Sequence, residues 1–139
     1  MLHTTKMVFL YSTHKPKGQK MYTLMQHLTA FKYACKINHW STDSYSEHLL
    51  YDRLTEDLDT WVDNIAESHF MALNQKDIFK PDLLNPKLIS KDLVKMCNTI
   101  IEYLEKLQGD DDLNEGDMSL LGDIESAFLG KLALAKLTK

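Results

Sequence analysis

The sequence predicts an all-α protein, a four-helix bundle with one long crossover between helices two and three. Three observations carry this. Apolar residues recur at helical spacing in four separate stretches. The chain has 139 residues, enough for one domain with a real core, but only 5 Gly and 3 Pro, too few for a turn-rich β protein. One connector, Asn74 to Ile89, is much longer than the turn between neighbouring antiparallel helices, so it should cross over the bundle.

Residues 1–18 form a basic arm with Lys6, Lys15 and Lys17 and no acidic residue, ahead of a bundle spanning 19–139. The arm reads either as a tail that touches nucleic-acid phosphate, together with Lys20, or as a frayed terminus with ordinary lysines. The net charge of −4 speaks against nucleic acid as the partner of the whole molecule. The longest apolar run near the N-terminus, Met7 to Tyr11, is too short for a signal-peptide core or a membrane span. The expectation is a soluble cytoplasmic protein or, for a viral chain, one of the host cytoplasm or virion.

Helix one runs from about Gln19 to Trp40, with Met21, Leu24, Leu28, Phe31 and Cys35 on one face. His39 extends that face, and His27 lies off it as a surface or interface residue. Cys35 and Cys97 both sit in apolar helical patterns and read as reduced core thiols. Ser44-Tyr45-Ser46-Glu47 has the form of a capping box, so helix two starts just before His48 and folds back antiparallel to helix one. In the connector, Ile78, Phe79, Leu83 and Leu84 are the candidate anchors. Helix three runs from Ser90 as N-cap to about Gln108, with Leu93, Val94, Cys97, Ile100, Ile101, Leu104 and Leu107 as its seam and Gly109 as C-cap.

The acidic run Asp110 to Asp117 reads as a solvated linker. It is not a calcium loop: its glycine comes one place late, and Leu121 stands where the bidentate glutamate belongs. Helix four starts with Asp117 as N-cap and buries Leu120, Leu121, Ile124, Phe128 and Leu132. Lys131, Lys136 and Lys139 suit its C-terminal end through the helix dipole.

The chemistry is concentrated in helix two, which reads as one long helix. Leu50, Leu54, Leu58, Trp61 and Ile65 give it an apolar stripe. His48, Asp52, Glu56, Asp59, Asp63 and Glu67 fall within a second sector of roughly 100°. His48 and Asp52 are four residues apart and can share one ligand, as can Asp63 and Glu67. The two pairs lie about 22 Å apart on a straight helix, so they cannot meet on one ion within one chain. They meet if two copies of the helix pack antiparallel about a twofold axis near Asp57 and Leu58. The alternative is a plain solvated acidic face. His39 joins His48 at the hairpin end, and imidazole with carboxylate suits iron or zinc better than calcium.

His39-Trp40, His48-x-x-x-Asp52 and Asp63-x-x-Ala66-Glu67 together resemble the signature of the Dps family of mini-ferritins. Gly116-Asp117 resembles the start of that family's last helix. His39 to His48, read as HWxTxSYxEH, also resembles small ferritin-like proteins of large bacteriophages. The resemblance implies a ferritin-like bundle that assembles into a hollow shell and oxidises Fe(II) at sites between twofold-related subunits. The implied ligands are His39, His48 and Asp52 of one copy with Asp63 and Glu67 of the other. It also implies iron storage or detoxification, with zinc as a substitute metal and DNA as a further partner. Trp40 would intercept stray oxidising equivalents, or be a core aromatic. The interval from His39 to His48 is shorter than in that family, and Ser68-His69 follow Glu67 where the family has arginine. The Glu-x-x-His pair of larger di-iron ferritins is absent, so no site inside a single bundle is expected.

Overall fold

The computed structural model describes residues 18–138, and regular structure among the described residues is all helical. It comprises α1 (Gln19–Ser41), α2 (Tyr45–Leu54), α3 (Leu58–Asn64), α4 (Leu93–Gln108) and α5 (Glu115–Ala135). Predicted helices one, three and four correspond to α1, α4 and α5. Predicted helix two corresponds to α2, α3 and a π-helical extension, Ile65–Met71. The arm with Lys6, Lys15 and Lys17 lies outside the described residues.

The apolar stripes meet in one core. α1 packs against α2, α3 and α4, α4 packs against α5, and α5 reaches back to α2. Met21, Leu24, Leu28, Phe31 and Cys35 of α1 are buried, as are Leu93, Cys97, Ile100, Leu104 and Leu107 of α4. Phe128 of α5 meets Phe31 edge-on at 5.1 Å and leans on Trp61 at 5.9 Å. Each fully buried Leu or Phe side chain contributes about 1.5–3 kcal/mol, so the shared core holds the helices together. Cys35 and Cys97 are free, buried thiols whose pKa values desolvation pushes up to about 12, which keeps them protonated and unreactive.

The single long helix two is corrected. Its backbone tightens after Leu54: Glu56 N–H donates to Arg53 O at 3.1 Å and Leu58 N–H to Thr55 O at 3.3 Å, three residues back instead of four. Asp57 then takes a left-handed conformation, φ 69°. Leu54 O thereby loses its usual helical donor. Lys131 of α5 replaces it, donating from Nζ to Leu54 O at 2.9 Å and to Glu56 O at 2.8 Å. The expectation that Lys131 acts at a helix end through the dipole is therefore also corrected. It is only 7 % exposed and holds the break from inside. Desolvation lowers its pKa, while the nearby thiols and the acids Asp57 and Glu56 pull the other way.

Past α3 the helix widens. Ala72 N–H donates to Glu67 O at 3.0 Å and Gln75 N–H to Phe70 O at 2.8 Å, both five residues back. Ile65, His69 and Phe70 are buried along this segment. Phe70 packs edge-on against Phe79 of the connector that leads to α4 at 5.5 Å. It also crowds Gly18, where an added Cβ would lie 2.9 Å from the Phe70 ring on a backbone already at φ +89°.

The connector between the π-helical segment and α4 contains three short 3-10 turns, Lys76–Ile78, Pro81–Leu83 and Pro86–Leu88. Ile78, Phe79 and Leu83 pack on the core as expected, whereas Leu84 is exposed. A tyrosine supplies the stronger anchor. Tyr22 donates its hydroxyl to Asp82 Oδ1 at 2.6 Å and accepts from Lys80 N–H at 3.2 Å.

Two helix starts also differ from expectation. Asp92, not Ser90, caps α4 by accepting from Lys95 N–H at 3.0 Å, and Ser90 Oγ instead accepts from Asp92 N–H. Asn114, not Asp117, caps α5 by accepting from Asp117 N–H at 2.8 Å. Asp117 is released to point inward.

Candidate metal centre

The hairpin between α1 and α2 is built by local hydrogen bonds. Ser44 Oγ accepts from Glu47 N–H at 3.3 Å, the forward half of the expected capping box. The return half is routed through Thr42, whose Oγ1 accepts from Ser44 N–H at 3.2 Å and donates to Glu47 Oε1 at 2.8 Å. This short turn brings the last turn of α1 alongside the first turn of α2.

His39 and His48 meet there. Their rings stack with centroids 3.6 Å apart and planes 22° apart. His39 Nδ1 lies 2.7 Å from His48 O, and His48 Nδ1 lies 2.9 Å from His39 O. A carbonyl oxygen only accepts, so each Nδ1 carries the proton. In the neutral rings the lone pair is then on Nε2. Neither Nε2 has a hydrogen-bond partner among the described residues. A ring held through Nδ1–H with Nε2 left open is the arrangement by which backbone carbonyls orient metal-binding histidines.

The carboxylates are dispersed. Asp52, one turn after His48, is exposed and lies 3.6 Å from Lys36 Nζ. Such a surface pair is worth at most about 1 kcal/mol, so an incoming cation can displace the lysine. Asp59 is held by Lys32 Nζ at 3.0 Å from both carboxylate oxygens. Asp63 shares a cleft of about 340 Å³ with Lys32, Tyr33 and Asp59. Glu67 is exposed on the π-helical segment. Among the described residues of one chain, no group of three or more His, Cys, Asp or Glu is gathered so as to hold a metal. The chain brings together His39 and His48, with Asp52 following on α2, and leaves Asp63 and Glu67 beyond the break. The straight-helix distance of about 22 Å between the two pairs does not apply across the left-handed Asp57.

Three further observations bear on the site. Trp40 is 69 % exposed, which rules out the core reading, and Tyr45 and Leu49 beside it are exposed at 75 % and 52 %. Lys20, grouped with the arm as a phosphate contact, lies 3.2 Å from Asp110 Oδ2. His69 and Asp117 form a buried pair, His69 Nδ1 to Asp117 Oδ2 at 3.0 Å, with side-chain exposures of 7 % and 5 %. Sequence reasoning missed this pair. His69 lies four residues after buried Ile65, on the same apolar stripe, so helical spacing carried a signal for its inward position; its partner Asp117, 48 residues away, left no such signal. Among the described residues, no helix is long and apolar enough to cross a membrane.

A model of a family of unknown function, DUF5856, matches residues 39–132, a span that holds all five candidate ligands. No curated protein and no solved structure matches the chain.

Proposed function

We propose that this chain, which belongs to the DUF5856 family of unknown function, is a ferritin-like bundle with a long crossover. It binds a transition-metal ion through His39 and His48, with Asp52 beside them and Asp63 and Glu67 supplied by a second copy. Ferrous iron is the proposed substrate, and zinc can occupy the same donors. The observation that carries the reading is the reciprocal hydrogen bonding of the two histidines, which protonates both Nδ1 atoms and leaves both Nε2 atoms without a partner among the described residues.

The donor set fits the ion. Imidazole nitrogen with carboxylate oxygen suits Fe(II) or Zn(II) more than calcium or magnesium. Hard carboxylates favour Fe(III) over Fe(II), so oxidation by peroxide or dioxygen becomes downhill. With peroxide, two Fe(II) ions each give up one electron, the O–O bond breaks, two protons are taken up and two waters form. Glu67 is the candidate to bridge two ions. The exposed carboxylates of α3 and the π-helical segment need a second chain to bring them to the histidines, which makes the self-pairing part of the chemistry.

The test is native mass spectrometry after incubation with Fe(II) in air. The expected result is a multiple of the 16.1 kDa protomer carrying iron. His39→Asn with His48→Asn should keep the assembly and lose the iron, because the asparagine amide can stand in for the Nδ1 donor but has nothing in place of Nε2. An iron-free monomer, or undiminished iron in that double variant, overturns the reading.

A second reading is a ferritin-like structural or interaction protein without metal chemistry, as in a virion. The exposure of Trp40, Tyr45 and Leu49 around one hairpin favours it. In the same experiment it gives an assembly whose mass is indifferent to iron.

A further inference from the structure

Twelve residues before His39 on α1, roughly 18 Å along its axis, His27 borders a separate cleft of about 230 Å³. α4 and the end of the crossover form its other walls. The polar lining is Lys87, Lys95, His27, Ser90 and Thr99, without a carboxylate, on a chain whose net charge is −4.

Apart from Thr99, whose hydroxyl donates to Lys95 O at 3.0 Å, these polar groups are short of partners. Neither Lys87 nor Lys95 is within 4.0 Å of a carboxylate oxygen among the described residues. Asp92, the acid nearest to Lys95 in sequence, has its Oδ1 engaged as the α4 cap. Ser90 Oγ accepts from Asp92 N–H, which leaves its own proton free to donate. The His27 ring leans on Tyr103 at 5.8 Å and has no hydrogen-bond partner among the described residues. Burial pulls its pKa down, so the ring is neutral at pH 7 and offers one donor and one acceptor. Leu88, Met96 and Ile100 add an apolar wall.

From this lining we infer that the cleft binds a small organic carboxylate, its head between Lys87 and Lys95 and its apolar body against Leu88, Met96 and Ile100. Two ammonium groups with no carboxylate beside them among the described residues, above an apolar wall, match an amphiphilic anion better than a neutral or cationic ligand. The volume is below the roughly 300 Å³ at which drug-sized sites begin, so the occupant is a short-chain acid. This site is independent of the metal reading.

The test is an NMR titration of the full chain with hexanoate, hexan-1-ol and inorganic phosphate in parallel. Hexanoate should give saturable shifts at the amides of Ser90, Lys95 and Thr99. Hexanol and phosphate should each bind about ten-fold more weakly, since each lacks one half of the match. Both lysines are exposed, so Lys87→Gln with Lys95→Gln leaves the fold intact. It should reduce hexanoate to the affinity of hexanol without changing hexanol itself. Equal binding of hexanol marks a plain apolar groove, and equal binding of phosphate marks an unselective anion site. Either result overturns the inference, as does absence of saturation or an unchanged double variant.

Discussion

Lys131 reaches from α5 to within 2.9 Å of the Leu54 carbonyl oxygen, at the point where the second helix of the hairpin breaks. Its ammonium also satisfies Glu56 O and lies 5.5 Å from the centre of the Trp61 ring. A buried amine joined to two carbonyls is a substitute for the helical N–H groups that the break removes. Lys131→Met keeps the stem and removes the donor, leaving two inward carbonyls without a partner. The expected cost is about 2–4 kcal/mol in urea unfolding. A cost under about 0.5 kcal/mol would mean that water or a local rearrangement serves those carbonyls equally well.

The break itself makes a prediction about ranking. Asp57 sits at φ 69°, where glycine is at ease and alanine is strained. Both Asp57→Gly and Asp57→Ala remove the same charge beside Lys131, so their difference isolates the backbone. The glycine variant should be the more stable by about 1 kcal/mol. The reverse order would show that the left-handed turn is not retained in solution.

The metal reading predicts that Asp52→Ala with Glu67→Ala abolishes Fe(II) oxidation while leaving far-UV circular dichroism unchanged, since both side chains are exposed. Unchanged oxidation in that variant removes the enzymatic claim. Protons compete with metal for Nε2, so Zn(II) or Co(II) affinity should fall as the pH is lowered. Affinity that is flat with pH would point to carboxylates alone.

His69 and Asp117 are buried together at 3.0 Å. Truncating one member strands the other, so His69→Ala and Asp117→Ala should each cost about 2–4 kcal/mol. The double variant should cost less than the sum by about 1–3 kcal/mol. Strict additivity would mean that the two side chains do not interact in solution.

His27 sets a pH dependence of known sign. Desolvation lowers its pKa in the folded chain below the ordinary value of 6.5. The unfolded state therefore takes up the proton first, and the folded state loses stability as the pH falls through 6.5 towards the lowered value. His27→Gln should flatten the stability profile in that window by less than one proton's worth of slope. A wild-type profile that rises on acidification would contradict the burial of the ring.

Much of the helical architecture was legible from spacing. The stripes on α1 and α4 were read correctly, because a residue that repeats every 3.6 positions has only one apolar side to bury. The meeting of His39 and His48 was also legible, since a capping box four residues before His48 marks where the chain turns back. The reciprocal bonding of the two rings was not, because it depends on ring rotamers. Neither was the inward turn of Asp117: its place in an acidic run suggested solvent, and only the tertiary fold brings His69 opposite it.

By itself the sequence determined that the chain is helical, which faces of α1, α4 and α5 are apolar, and that imidazoles gather at one hairpin. Each of these follows from residues within a turn or two of one another. The tertiary structure alone decided that the second helix breaks at Asp57 and widens after Asn64. The partners met at those departures come from far along the chain: Lys131 donates to Leu54 O from 77 residues away, and Asp117 faces the His69 ring from 48 residues away. A backbone hydrogen bond given up locally must be replaced by whatever the fold brings near, and local periodicity carries no record of that partner.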